Sequence, residues 1–198
     1  MSRTQIRTVA FDVMDTVVHD PFREALRAAT GMEPSRYFRQ RDPDLYRSLE
    51  RGEITEDVYW QRIRHDGIDI DPAEFHRVRL EGTRWIDGMP ELLATLEGVV
   101  ERVTASNYPI WIEDLASRLL DPYFEHVFAS CHLGVRKPDV GFYEALLKRI
   151  GRRPDEVLFV DDREGNVEAA RRCGVRSHRF ADVATLRAWL LHEGVPVG

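Results

Sequence analysis

Short apolar runs alternate with segments of helical period from residue 99 onward, and few architectures accommodate that rhythm. "RVTAS" (102–106), "HVFAS" (126–130), "VLFVD" (157–161) and "VRSHRF" (175–180) read as strands. Between them, Ile112, Leu115, Ala116 and Leu119 recur at the spacing of one helix face, and so do Tyr143, Leu146, Leu147 and Ile150. Gly174 suits the position just past a helix, and Asp182 suits an N-cap. Strand–helix alternation predicts a parallel sheet covered on both faces. "VLFV", apolar at every position, suits a strand buried on both sides. The expected fold class is therefore α/β, a three-layer core.

Residues 20–86 differ: they are rich in Arg, Glu and aromatics and lack a clear strand run. "GEITEDVYWQRIR" reads as a helix capped by Thr55, with acids in the first turn where the helix dipole favours them. "DPAEFHRVRLEG" reads as another, and "DGMPELLATLEG" (87–98) returns the chain to the main fold. The expected division is a core of residues 1–19 and 87–198, with 20–86 a helical insert after the first strand. A chain of 198 residues has room for one sizeable core and such an insert. Arg36, Arg39, Arg41 and Arg47 read mostly as a solvated helical face, and Tyr59 and Trp60 as core of the insert.

The first strand, Val9-Ala10-Phe11, runs directly into Asp12, with Asp15 just beyond. Open parallel sheets bind ligands outside the carboxyl ends of their strands. The polar residues at those ends are Asp12, Ser106 and Asn107, Lys137 within "GVRKPD", and Asp161 and Asp162. Carboxylates suit a hard divalent cation such as Mg²⁺, which shares substrate phosphate oxygens. An ammonium and a hydroxyl suit the remaining oxygens. A carboxylate is also a covalent nucleophile in phosphoryl transfer.

In chain order, "FDVMDTVV", "TASNYP", "RKPD" and "VLFVDDREGNVEAA" resemble the four signatures of the haloacid dehalogenase-like hydrolases, over nearly the whole chain. The resemblance implies a Rossmann-like core, with the helical insert as a cap over the active site. It implies Asp12 as nucleophile, with Ser106, Asn107 and Lys137 binding phosphate. It also implies Mg²⁺ held by Asp12, the Met14 carbonyl and Asp162, with Asp161 a neighbour or second ligand. The implied reaction is hydrolysis of a small phosphomonoester through an aspartyl-phosphate. Within that family, "DVMDTVVHDPF", "SNYPIW" and "VRKPD" are similar to the flavin mononucleotide hydrolases, which points to that substrate. A flavin would need an aromatic of the cap to cover its ring, and Tyr59 or Trp60 is then a second reading for those residues.

Most phosphatases of that family carry a second aspartate two residues after the nucleophile, which protonates the leaving oxygen and later activates water. Met14 stands there and can do neither. Loss of such help costs about 10²–10⁴ in rate, or roughly 3–5 kcal/mol of barrier. Three readings stay open. Asp15 substitutes, rather than only hydrogen-bonding its own loop; or the leaving group needs little protonation; or the reaction is not phosphate hydrolysis. The main rival is dehalogenation, which needs neither acid nor metal, although its enzymes generally lack the acidic pair that Asp161 and Asp162 form. A catalytically degenerate binder of a phosphorylated ligand is a further alternative.

Plainer roles exist for several of these residues. Asp162 would also serve as the N-cap of the helix after it, and Asn166 lies one turn further on. Lys137 in a Pro-containing loop would also be a solvated charge. The net charge of −6 offers no basic field for nucleic acid. No run approaches transmembrane length, and "MSRTQIRTVAF" lacks the apolar stretch of a signal peptide. Cys131 and Cys173, far apart, imply neither a disulfide framework nor a zinc cluster. The expected setting is a reducing cytoplasm. The expected partner is a small phosphorylated metabolite, without nucleic acid or membrane, and the chain a monomer or homodimer.

Overall fold

The computed structural model describes residues 4–197; residues 1–3 and 198, expected in the core, lie outside these. Four strands, β1 (Thr8–Phe11), β2 (Glu101–Thr104), β3 (Val157–Asp161) and β4 (Arg176–Arg179), form one parallel sheet in the order β2-β1-β3-β4. β1 and β3 are buried at every position. Alternate side chains leave a strand on opposite faces, and both faces are covered here. Val9, Phe11, Leu158 and Val160 join one apolar cluster, while Ala10, Val103, Val157 and Phe159 join another.

Between β1 and β2 the chain inserts α1 (Phe22–Thr30), α2 (Pro34–Gln40), α3 (Leu45–Glu50), α4 (Glu56–His65) and α5 (Pro72–Gly82). The core resumes at α6 (Met89–Thr95) and continues through α7 (Ile112–Leu115), α8 (Ser130–Leu133), α9 (Val140–Ile150), α10 (Glu164–Arg172) and α11 (Val183–His192). α7 runs on as a π-helical turn over Ala116–Leu120. Thr55 caps α4, as its sequence predicts, by accepting the N–H of Val58, and Asp182 caps α11 by accepting that of Thr185. No helix among the described residues is long and apolar enough to cross a membrane.

One expected strand is corrected. Residues 126–130 run beside β2 but make only isolated bridges, Val103 with His126 and Ser106 with Ala129. The cause is Thr104: its hydroxyl accepts the N–H of Phe128 (2.8 Å) and donates to the Phe128 carbonyl (2.9 Å), interrupting the backbone ladder.

The two passages between core and insert pair with each other. Val18 and Trp85 form an antiparallel bridge, flanked by hydrogen bonds from His19 N–H to the Arg84 carbonyl (2.9 Å) and from Ile86 N–H to the Val17 carbonyl (3.0 Å). A second contact joins α3 to the core. The Glu50 carboxylate accepts from Arg136 Nε (2.8 Å), and the Glu50 carbonyl accepts from Ser130 Oγ (2.6 Å). Just beyond α3, Gly52 has φ 68°, and a Cβ there would lie 3.1 Å from the Cys131 carbonyl oxygen, so both conformation and closeness favour glycine.

Candidate active site

β1 and β3 are the two inner strands of the sheet, and each delivers a carboxylate to the same edge. The N–H of Asp12 bonds the Val160 carbonyl (2.8 Å), continuing the β1–β3 ladder one residue past the strand. Lys137, in the loop between α8 and α9, reaches between the two acids. Its Nζ donates to Asp12 Oδ1 (2.8 Å) and Asp161 Oδ2 (2.6 Å), and the residue is only 1% exposed. The solvated-charge reading of Lys137 is thus replaced by a buried one. Asn107 fixes the backbone of that lysine, with Nδ2 donating to the Lys137 carbonyl (2.8 Å) and Oδ1 accepting its N–H (2.7 Å). Both ends of the Asn107 amide are therefore engaged with the Lys137 backbone, and the residue also lines the cavity over the site.

Burial pushes the Asp12 carboxyl up to about 6, against the pull of Lys137 and with Asp161 and Asp162 adding to the rise. Burial alone would lower the Lys137 ammonium, but the charges of Asp12 and Asp161 outweigh it and the pKa is raised. Asp161 is fully buried and saturated. Its Oδ1 accepts the N–H of Arg163 (2.9 Å), and Asn166 Nδ2 reaches both oxygens, at 2.9 and 3.0 Å. The carboxylate bonded at the entry to α10 is thus that of Asp161; Arg163 is the cap residue, and the N-cap reading of Asp162 is corrected. Asp162 is half-buried and, among the described residues, its carboxylate makes no hydrogen bond or ion pair. Burial raises its pKa, with Asp161 contributing.

Oxygens of Asp12, Asp161 and Asp162 lie within 4.8 Å of one another. Ligands on opposite sides of an octahedral Mg²⁺ are about 4.2 Å apart, so small side-chain rotations would bring these oxygens into range. Three carboxylates face one ammonium, and the excess negative charge matches a dication. The donor set and the charge both fit Mg²⁺.

A cavity of about 470 Å³ opens over this edge, lined from the core by Asp12, Met14, Ser106 and Lys137 among others. Ser106 is buried, and its backbone joins the 126–130 segment (Ser130 N–H to Ser106 carbonyl, 2.8 Å). Asp15 is exposed, with φ 57°, a left-handed conformation that Asp tolerates better than most. Its Oδ1 accepts the N–H of Asp20 (3.1 Å), the loop-bonding role weighed from sequence.

The insert supplies the opposite wall with Phe22, Arg23, Phe38, Arg41, Tyr46 and Arg47. Arg41 is thereby corrected from a solvated face to half-buried cavity lining, its guanidinium 5.4 Å from the Phe38 ring centre, while Arg47 lines the cavity and stays exposed, as read from its sequence. Tyr59 and Trp60 are 1% and 3% exposed, and Trp60 stacks on Trp111 at 5.7 Å, so they are core as first read. Sequence reasoning missed Phe22, Phe38, Tyr46 and Asp20. Only "DPF", at residues 20–22, was a local hint, because α1–α3 bring the rest together in space.

Comparison with known proteins agrees with this geometry. A profile of the haloacid dehalogenase-like hydrolases matches residues 6–174. Flavin mononucleotide hydrolase 1 of Arabidopsis thaliana is 33% identical over 197 residues, covering 98% of this chain and 80% of that protein. Drimenol cyclase of Aspergillus calidoustus is 46% identical over 145 residues, 69% of this chain but only 28% of that longer protein. A hydrolase of the same fold from Porphyromonas gingivalis superimposes with a TM-score of 0.79 at 24% identity, covering 94% of this chain and 98% of the other.

Proposed function

Because the chain belongs to the haloacid dehalogenase-like hydrolases, we propose that it hydrolyses a small phosphomonoester, with residues 20–86 as the cap and Asp12 as the nucleophile. Asp12 Oδ2, the oxygen that Lys137 does not hold, attacks phosphorus and gives an aspartyl-phosphate that water then hydrolyses. Lys137 keeps the nucleophile oriented and donates to a phosphoryl oxygen, and the Ser106 hydroxyl donates to another. Asn107 acts through the lysine whose backbone it clamps. Asp12, Asp162 and the Met14 carbonyl, with Asp161 alongside, would hold Mg²⁺, which when bound offsets the charge of the phosphoryl oxygens.

The observation that carries this reading is the crowding of Asp12, Asp161 and Asp162. A nucleophile displacing halide without a metal gains nothing from two further anions beside it, whereas a metal-assisted phosphatase requires them. The finer reading is flavin mononucleotide as substrate. It is supported by the likeness to the Arabidopsis thaliana hydrolase and by the aromatic surface that Phe22, Phe38 and Tyr46 give the cap wall.

Phosphate release from a panel of phosphomonoesters, flavin mononucleotide included, tests both levels. Release should depend on Mg²⁺ and stop in EDTA. Phe38→Ala should raise KM for flavin mononucleotide far more than for a small phosphate ester. Cleavage of 2-haloacids in EDTA with no phosphate from any ester would overturn the phosphatase reading. Equal KM changes would remove only the flavin.

A further inference from the structure

With Met14 unable to give or take a proton, some other group must serve the leaving oxygen of an unactivated ester. The acids lining the cavity are Asp12, Asp15, Asp20 and Glu50. Asp12 is committed to attack. Glu50 holds Arg136 through an ion pair at 2.8 Å. Asp15 is exposed and bonded to its own loop. Asp20 is half-buried where Asp15 is exposed: its Oδ1 accepts the N–H of Phe22 (3.0 Å), and among the described residues it forms no ion pair, with Oδ2 making no hydrogen bond.

The chain between Asp12 and Asp20 also turns back on itself. Val18 pairs with Met14, and the Asp20 N–H bonds the Asp15 carboxylate, so Asp20 returns to the same cavity that Met14 lines. We propose that Asp20 is the general acid and base of the reaction, taking the role that Met14 leaves vacant; the inference rests on the phosphomonoesterase reading. As the bond from Asp12 to phosphorus forms and the ester P–O bond breaks, the leaving oxygen takes the proton of the Asp20 carboxyl. In the second step the Asp20 carboxylate takes a proton from the attacking water, the Asp12–phosphorus bond breaks, and phosphate departs with Asp20 protonated again.

The surroundings of Asp20 suit a group that holds a proton near neutrality. Burial pushes its carboxyl up to about 6; Phe22 N–H and Arg163 oppose the rise, Asp15 and Glu24 add to it, and Tyr46 and Tyr108 line the same cavity.

The test compares Asp20→Asn, which keeps an acceptor for the Phe22 amide, with Asp15→Asn and wild type. Each is assayed on para-nitrophenyl phosphate, whose phenolate leaves without a proton, and on an alkyl phosphate, in Mg²⁺. The readout is kcat/KM, which reports the phosphorylation step. Asp20→Asn should lose roughly 10²–10⁴ on the alkyl ester and less than about tenfold on the aryl ester. It should also show a burst of nitrophenolate, because hydrolysis of the phospho-enzyme slows. Asp20→Glu should recover part of the alkyl activity, and Asp15→Asn should treat both esters alike. Parallel losses on both esters in Asp20→Asn, or a leaving-group-dependent loss in Asp15→Asn instead, would overturn the inference alone. A wild-type protein that releases phosphate from neither ester would overturn the reading beneath it as well.

Discussion

Lys137 carries its charge where water is excluded, and two carboxylates that reach its ammonium make that tolerable. Removing one partner of a buried pair leaves an uncompensated charge, at a cost of about 3–5 kcal/mol. Lys137→Met, measured by urea unfolding in EDTA, should show a loss of that size. Asp12→Asn should behave oppositely. It removes one of three crowded acids and leaves the Lys137–Asp161 pair intact, so phosphate release should vanish while the unfolding midpoint holds or rises. The sign follows from Asp12 itself: a carboxyl raised from 3.8 to about 6 by folding costs stability that is lost as pH climbs between those values and stays lost above them, and asparagine has no such penalty. Asp12, Lys137 and Asp161 were legible in the sequence because each follows an apolar run or sits in a short motif at the sheet's edge. Asp20 was not, because its significance comes from the turn that returns it, half-buried, to the cavity that Met14 lines.

At the scale of elements, α4 and α5 are joined through Glu56. One carboxylate oxygen accepts from Trp60 Nε1 (2.7 Å) and also meets the His76 ring. The network runs on to Arg79, 1% exposed, whose Nη2 reaches His76 Nδ1 (3.3 Å) and Asp114 of α7 (3.1 Å). Burial pushes Glu56 upward, but the hydrogen bonds from His76 and Trp60 prevail and hold its pKa at about 2. A depressed carboxyl stabilises the fold above its ordinary 4.5 and loses that contribution as pH falls toward 2. Thermal unfolding followed across that window should therefore fall more steeply in wild type than in Glu56→Gln; parallel curves would refute the role. The helices themselves were legible in periodicity and caps. The interruption at 126–130 was not, because a hydroxyl competing for a backbone amide leaves no mark on the hydrophobic pattern.

For the molecule as a whole, fold centre and proposed site share the same two strands, β1 and β3. A divalent cation bound among Asp12, Asp161 and Asp162 would relieve repulsion at the end of the most buried part of the sheet. Mg²⁺ at a hundredfold excess over its Kd should stabilise the fold by about 2.7 kcal/mol. The measurement is thermal unfolding in Mg²⁺ against EDTA. Asp162→Asn should shrink the difference, and an identical difference in that variant would place the ion elsewhere. The paired linkers at Val18 and Trp85 bear on how the two halves work together. Pinning the outgoing and returning passages to each other makes the two crossings one joint, and Glu50 ties α3 to Ser130 and Arg136 as well, so the wall that carries Phe38 and Arg41 is held to the core at two separate places over Asp12.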